Sequence, residues 1–232
     1  MAKEIGRVTI ELSNRCNMAP FHKKCPLYPE KTLETLSTDK VIEILKYLGK
    51  IKYSKYVAFH NYSDPLQDPR LLYLIKKTKK HAPKAKVFIL TNGWFLDQNI
   101  LNDLNKLGVS KVRVSAYNDS DYKRLGKLKS KKTYRVKRIK EFDYRLDYYV
   151  SEEKPLKEPC YAPLGEVVIR CNGNVVLCCK DWKDTIVFGN VYKKPLKKIL
   201  QNPKMKAIYK RLSKGDRYLQ ICRYCRTKGR FG

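Results

Sequence analysis

A chain of 232 residues is long enough for one large domain, or one domain with a smaller appendage, and it can bury a sizeable core. Its 51 Lys and Arg against 22 Asp and Glu give a formal charge of +29, so nucleic acid, anionic lipid and phosphorylated small molecules all qualify as partners. It has no run of about 18 apolar residues and no signal-peptide layout, which argues against membrane insertion and secretion and for the cytoplasm.

Compositional bias is the competing source of the charge. The lysines are scattered through stretches such as KKTKKHAPKAK and KLKSKKTYRVKRIK, with no clean stripe and no nucleic-acid motif. Eight cysteines in a reducing compartment point to metal binding rather than disulfides.

In chain order, the strand-like run RVTIEL (7–12) leads into the loop NRCNMAPFHKKCPLYPE (14–30), which carries Cys16 and Cys25. TDKVIEILKYLGK (38–50) spaces Val41, Ile44, Leu45 and Leu48 at helical intervals. A second strand, KYVAFHNY (55–62), precedes a helix expected to take Asp68 as its cap and Pro69 in its first turn, with Leu71, Leu74 and Ile75 on one face. After a third strand, KVFILTN (86–92), Ile100, Leu101, Leu104 and Leu107 mark a helix that Gly108 ends. KVRVSAY (111–117) is the fourth strand, and TYRVKRI (133–139) and RLDYYVS (145–151) are weaker candidates.

Such alternation predicts an α/β fold, with a parallel sheet and helices on its outer face. Six units would make an open, partial (β/α)6 barrel over residues 1–150. From Glu152 the texture changes, and Pro155 and Pro159 mark a linker. EVVIRCNGNVVLCC (166–179) reads as a hairpin turned at Asn172-Gly173, and a helix-like tail, PLKKILQNPKMKAIYKRLSKG (195–215), runs toward CRYC (222–225). Residues 151–232 are thus expected to form a small cysteine-rich α+β module of β-hairpin plus helix.

Cys160, Cys178, Cys222 and Cys225 come from three segments. A tight turn at Gly173 sends the second strand back, and the Cys-x2-Cys pair supplies two thiolates on one short loop. Four such sulfurs can enclose a tetrahedral zinc or an iron-sulfur cluster. Zinc ribbons tend to use two close pairs, whereas Cys160 and Cys178 are far apart; spacing alone leaves both metals open. Cys179 should point to the opposite face of the strand from Cys178, and Cys171 sits in the hairpin. Both read most simply as buried small residues.

The order Cys, nine to fifteen residues, Gly, four residues, Cys and later Cys-x2-Cys resembles the twitch domain of radical S-adenosylmethionine (SAM) enzymes, the shortened relative of the SPASM domain. CNGNVVLCCKDW followed by GNVYKKPLKKIL is also similar to that family's text. In the N-terminal half, YSDPLQDPRL sits where the family carries Gly-Gly-Glu-Pro, and LTNG follows the third strand as it commonly does there. The resemblance therefore spans nearly the whole chain.

It implies two 4Fe-4S clusters and SAM as cofactors, with an electron donor such as flavodoxin or ferredoxin. The implied reaction is oxidation of a polar small-molecule or anionic substrate by a 5′-deoxyadenosyl radical, the electron passing to an auxiliary cluster held by Cys160, Cys178, Cys222 and Cys225. Ser63 and Asp64 replace the family's Gly-Glu pair, and the Asp64 carboxylate would accept from the SAM ammonium group. Asp before Pro is also a plain turn signal. Asn92 and Ser115, near their strand ends, become SAM or substrate contacts, although Asn92 before Gly93 also suits a turn. His60, at the end of the second strand, is a candidate substrate contact, and His81 reads as solvated.

The family's Cys-x3-Cys-x2-Cys motif is incomplete here. If Cys25 is its last cysteine, as Pro26 indicates, His22 takes the middle position; if Cys25 is the middle one, Tyr28 would be last. Imidazole can ligate an iron-sulfur cluster, so the implied set is Cys16, His22 and Cys25. A third thiolate from Cys171 or Cys179, another completing group, or a degenerate site are the alternatives. A peptide, nucleotide or RNA docked by the basic surface is the other substrate class, and a non-catalytic metal-binding protein the other function.

Overall fold

An eight-stranded sheet organises the chain, in a computed structural model that describes residues 5–21, 25, 32–139, 156–223 and 225. Its strands are β1 (Arg7–Ile10), β2 (Tyr56–Ala58), β3 (Lys86–Thr91), β4 (Lys111–Ala116), β5 (Thr133–Arg138), β6 (Glu166–Ile169), β7 (Asn174–Val176) and β8 (Val187–Asn190). They lie in the order β5-β4-β3-β2-β1-β6-β7-β8. Pairing is parallel from β5 through β1 to β6, and antiparallel from β6 to β8. The sheet is open, as an α/β partial barrel requires.

Alternation along the strands decides which face meets the helices. Val8, Ile10, Val57, Val87, Ile89, Val112 and Val114 join one core with the apolar faces of α1 (Thr38–Lys50), α2 (Leu71–His81) and α3 (Gln98–Lys106). Their strand neighbours, among them Arg7, Tyr56, Phe88, Lys111, Arg113 and Ser115, face the other way. Ser37 caps α1 by accepting from the Lys40 amide, and Asp97 caps α3 by accepting from that of Ile100. Each cap satisfies an amide that the first helical turn leaves without a partner.

The expected start of α2 is corrected. The helix opens at Leu71 with Arg70 at its cap, because Asp68 is used differently. Its carboxylate accepts from the Arg70 backbone amide and forms an ion pair with the Arg70 guanidinium at 2.7 Å. That guanidinium also donates to the Leu36 carbonyl, so the pair ties two loops together.

The helical tail is two helices, α6 (Leu196–Leu200) and α7 (Pro203–Ser213). Pro203 has no N–H to continue the first, and Asn202 caps the second. α4 (Asp119–Gly126) and β8 are elements that apolar periodicity did not reveal, and α5 (Ala162–Gly165) and α8 (Gln220–Arg223) are single turns. The strand expected at 145–151 lies outside the described residues.

The C-terminal hairpin continues the barrel sheet. β6 pairs with β1 from Arg7↔Glu166 to Ile10↔Ile169, so the sixth parallel strand comes from the cysteine-bearing segment. Its turn needs glycine: Gly173 has φ 87°, and a Cβ there would meet Tyr192 Cδ2 at 2.6 Å. Past the ends of the two strands, the fully buried Glu11 pairs with Arg170, Nε to Oε2 2.6 Å, and Arg170 pairs in turn with Asp184 at 2.7 Å. Among the described residues no helix is long and apolar enough to cross a membrane.

Candidate active site and metal centres

Loops leaving the C-terminal ends of β1 to β4 line an open cleft. Ligands of parallel α/β sheets bind at that end because the loops converge there. The cleft brings together Cys16, His60, Ser63, Asp64, Asn92 and Ser115. His81 ends α2, where burial and the charges of Lys46, Lys80 and Lys77 lower its pKa.

Asp64 holds the cleft loops in register. Its buried carboxylate caps the 3-10 turn Pro65–Gln67 by accepting from the Leu66 amide at 2.9 Å. It also accepts from Thr91 Oγ1 at 2.8 Å and from the Asn92 amide at 2.6 Å, joining the loop after β2 to the end of β3. Asn92 donates to Asn17 Oδ1 at 2.9 Å, which draws in the loop after β1, and accepts from the Trp94 amide. The tight path requires Gly93, whose φ is 79° and whose Cβ would meet Val114 Cγ1 at 2.6 Å. Asn61 lines the cleft, and its Nδ2 is buried with no acceptor among the described residues.

Cys25 is buried against Tyr62, with Cys16 and Trp182 packed on the same pair. His22 and Tyr28 lie outside the described residues. Cys171 and Cys179 are not part of this group. The Cys171 thiol reaches Glu34 Oε2 at 3.8 Å, and burial and the nearby Glu11 charge push its pKa up. Cys179, half-buried rather than buried, has its pKa pushed up to about 11 by burial and Glu166, with Lys180 and Arg7 acting the other way.

The other four cysteines come from the C-terminal segment, and the charges of several of them reach one another. Cys160 precedes α5 and is tied to α7 through its amide bond to the Leu212 carbonyl. Cys178 follows β7, Cys222 lies in α8, and the Cys225 amide bonds back to the Cys222 carbonyl. Their charges are felt mutually: Cys178 by Cys222 and Cys225, and Cys222 by Cys160 and Cys225. Burial raises the pKa of Cys160 and Cys178 and pushes Cys222 up to about 12. Free thiolates are therefore disfavoured in this cage, and a bound cationic centre is what would displace their protons.

Three groups near these cysteines would suit thiolate sulfurs. Arg217, 5 % exposed, donates to the Glu158 and Cys225 carbonyls, and its charge favours the thiolates of Cys160 and Cys222. The Lys180 amide donates to Cys178 Sγ at 3.4 Å. The buried Tyr209 hydroxyl, close enough to feel Cys178, has no partner among the described residues. Donors to sulfur and a counter-charge are what an iron-sulfur cluster uses. Among the described residues no three His, Cys, Asp or Glu side chains stand at the spacing of a single bound metal ion.

Tyr62 ties the cleft loop to the segment after β7. Its ring packs on Cys25, its hydroxyl donates to the Cys179 carbonyl at 2.7 Å, and its amide donates to Glu11 Oε1 at 2.9 Å. Arg170 sits 4.7 Å above the ring and donates to the Trp182 carbonyl. Sequence reasoning missed Tyr62, Arg170, Arg217 and Tyr209. The one available signal was a charge inside an apolar strand run, Glu11 in RVTIEL and Arg170 in VVIRC, since such a charge is tolerated only when paired.

Residues 160–226 match SPASM, an iron-sulfur cluster-binding domain. The chain is 25 % identical over 237 residues, 97 % of its length and 94 % of the relative's, to the S-adenosyl-L-methionine-dependent 2-deoxy-scyllo-inosamine dehydrogenase of Niallia circulans. It superposes on the crystal structure of BtrN in complex with AdoMet and 2-DOIA with a TM-score of 0.82, 23 % identity and coverage of 98 % and 95 % of the two chains. Streptococcus suis SuiB bound to its precursor peptide SuiA is similar at a TM-score of 0.53 and 14 % identity, over 95 % of this chain and 71 % of that one.

Proposed function

We propose that this chain, with its SPASM iron-sulfur domain on a fold shared with radical SAM enzymes, is a radical SAM oxidoreductase of the dehydrogenase kind. Residues 1–150 form the main part of its SAM-binding partial barrel, and residues 151–232 its auxiliary-cluster module, which also lends β6 to the barrel sheet. When bound, SAM and the two 4Fe-4S clusters supply a 5′-deoxyadenosyl radical, which takes hydrogen from the substrate, and an acceptor for the electron left behind.

What supports this reading is that Cys16 lines the cleft with Cys25 beside it on Tyr62, while the four C-terminal cysteines fall within the segment that matches an iron-sulfur cluster-binding domain. Cys16, His22 and Cys25 hold the first cluster and leave one iron open. Cys16 on the cleft wall, with Cys25 packed behind it, supports this assignment.

Ser63, Asp64, Asn92 and Ser115 bind SAM. For Asp64 that means keeping the loop amides in place while its remaining lone pairs face the ammonium group. Cys160, Cys178, Cys222 and Cys225 occupy every corner of the auxiliary cluster, which then carries electrons rather than substrate. Flavodoxin or ferredoxin supplies the reducing electron, and the substrate is a polar small molecule, as it is for the aminocyclitol-oxidising relative.

The test is anaerobic incubation of the reconstituted protein with SAM and a strong reductant. Formation of 5′-deoxyadenosine is expected, and its absence from protein with both clusters intact would refute the reading.

A further inference from the structure

We propose that the cleft-side face of the sheet is an anion-binding chamber and that the substrate it admits is a phosphorylated small molecule, an inference that rests on the functional reading above. Ser115 lines the cleft, so Lys111 and Arg113, at alternate positions on the same strand, share its face. The parallel register sets Arg113 opposite Arg135 and Ser115 opposite Lys137, which extends that face onto β5, the outermost described strand, where Arg135 and Lys137 are exposed. Arg113 stands two residues from Ser115, about 7 Å along the strand. The chamber is thus continuous with the cleft.

Phe88 collects three of the cations. Arg7 lies 5.7 Å, Lys111 5.6 Å and Arg113 5.8 Å from the centre of its buried ring. A ring face attracts cations but does not neutralise them. Arg7 is balanced by Glu166 at 2.8 Å. Among the described residues no carboxylate pairs with Lys111, Arg113, Arg135 or Lys137. Lys111 records the crowding: burial, and then Arg113, Arg135 and Arg7, lower its pKa.

Like charges directly opposite on neighbouring strands destabilise a sheet, and among the described residues no carboxylate offsets that repulsion. Compositional bias accounts for lysines on exposed helix faces. It gives no reason to line the concave side of a sheet with facing arginines. An incoming anion does, because a concave wall of one sign focuses the field on its ligand. Two guanidinium groups suit a phosphate, which accepts paired bonds from each and carries more charge than one carboxylate. An amine, which the relative's named substrate is, would be repelled here.

The experiment is equilibrium binding to the full-length, anaerobically purified protein without reductant, using ribose 5-phosphate, ribose, glucosamine and a single-stranded oligoribonucleotide as probes. Ribose 5-phosphate should bind at least tenfold more tightly than ribose or glucosamine. Arg113→Gln should weaken that binding about tenfold, as expected for loss of one charge-assisted bond, and Arg113→Gln/Arg135→Gln more so. The double variant loses a repulsion, so it should melt no lower than the parent.

Equal binding of ribose and ribose 5-phosphate by the parent protein would overturn the inference without any variant. Unchanged phosphate binding in a folded double variant would do the same. Binding of the oligoribonucleotide alone would assign the charge to nucleic acid instead. Protein that makes 5′-deoxyadenosine but ignores the phosphate refutes this inference and leaves the functional reading standing; the opposite result refutes the functional reading alone.

Discussion

The auxiliary cage and the cleft site differ in how much of each is carried by regular structure. In the cage, thiols come from the end of β7, from α8 and from the segment entering α5, and α7, Arg217, the Lys180 amide and Tyr209 are already in position around them. In the cleft, Cys16 and Cys25 hang on a loop, and their order comes from what they touch: Tyr62, Trp182 and the loops locked by Asp64. A centre that only passes electrons can be fully enclosed. One that must bind SAM keeps an open corner and borrows its rigidity from neighbours.

Substitutions at four positions sharpen this contrast. His22→Ala should abolish the SAM-responsive cluster signal and leave the auxiliary one, read by electron paramagnetic resonance of the reduced protein. His22→Cys should retain the cluster and lower its potential, because a thiolate returns the negative charge that a neutral imidazole lacks. A full SAM-responsive signal in His22→Ala would move the search to Tyr28.

Arg170→Leu strips the partner from a fully buried carboxylate at the seam between the two regions. Burial alone would pull the Arg170 pKa down, yet Glu11 and Asp184 hold it above its ordinary value, so the pair is charged in the fold. Removing one member of such a pair costs about 3–5 kcal/mol, which anaerobic denaturant unfolding would measure.

Asp64→Ala should weaken SAM binding about tenfold with both clusters in place, by freeing the Asn92 and Leu66 amides that shape the cleft and removing the carboxylate itself. Unchanged SAM affinity would make Asp64 a turn residue only. Tyr62→Phe keeps the ring on Cys25 and loses only the hydroxyl bond to the Cys179 carbonyl, so a cost of about 1 kcal/mol is expected. A much larger loss would mean that the hydroxyl holds the two regions together.

Legibility in the sequence follows the same divide. Periodicity located α1 at Thr38–Lys50, and β3, β4 and the 166–179 hairpin stand where apolar runs and the Asn172-Gly173 turn put them. The four auxiliary cysteines were singled out because their spacing resembles a domain pattern, Ser63 and Asp64 because they stand where that family carries Gly-Glu, and Asn92 and Ser115 because they lie near strand ends. α4 was hidden by its polar composition, with Leu125 its only buried residue. Arg217, Tyr209 and Tyr62 were hidden because their roles depend on contacts across the fold. The face shared by Arg113 and Arg135 became visible only once the register of β4 and β5 was known.

The account's central claim is that the protein holds two clusters of unlike construction. Iron and acid-labile sulfide should be counted after anaerobic reconstitution of the parent and of a variant with Cys160, Cys178, Cys222 and Cys225 all replaced by alanine. The account predicts about eight irons for the parent and about four for the variant, with matching sulfide and a remaining cluster that still responds to SAM. Stoichiometric zinc without sulfide in the parent, or a variant that loses all its iron while remaining folded, would contradict it.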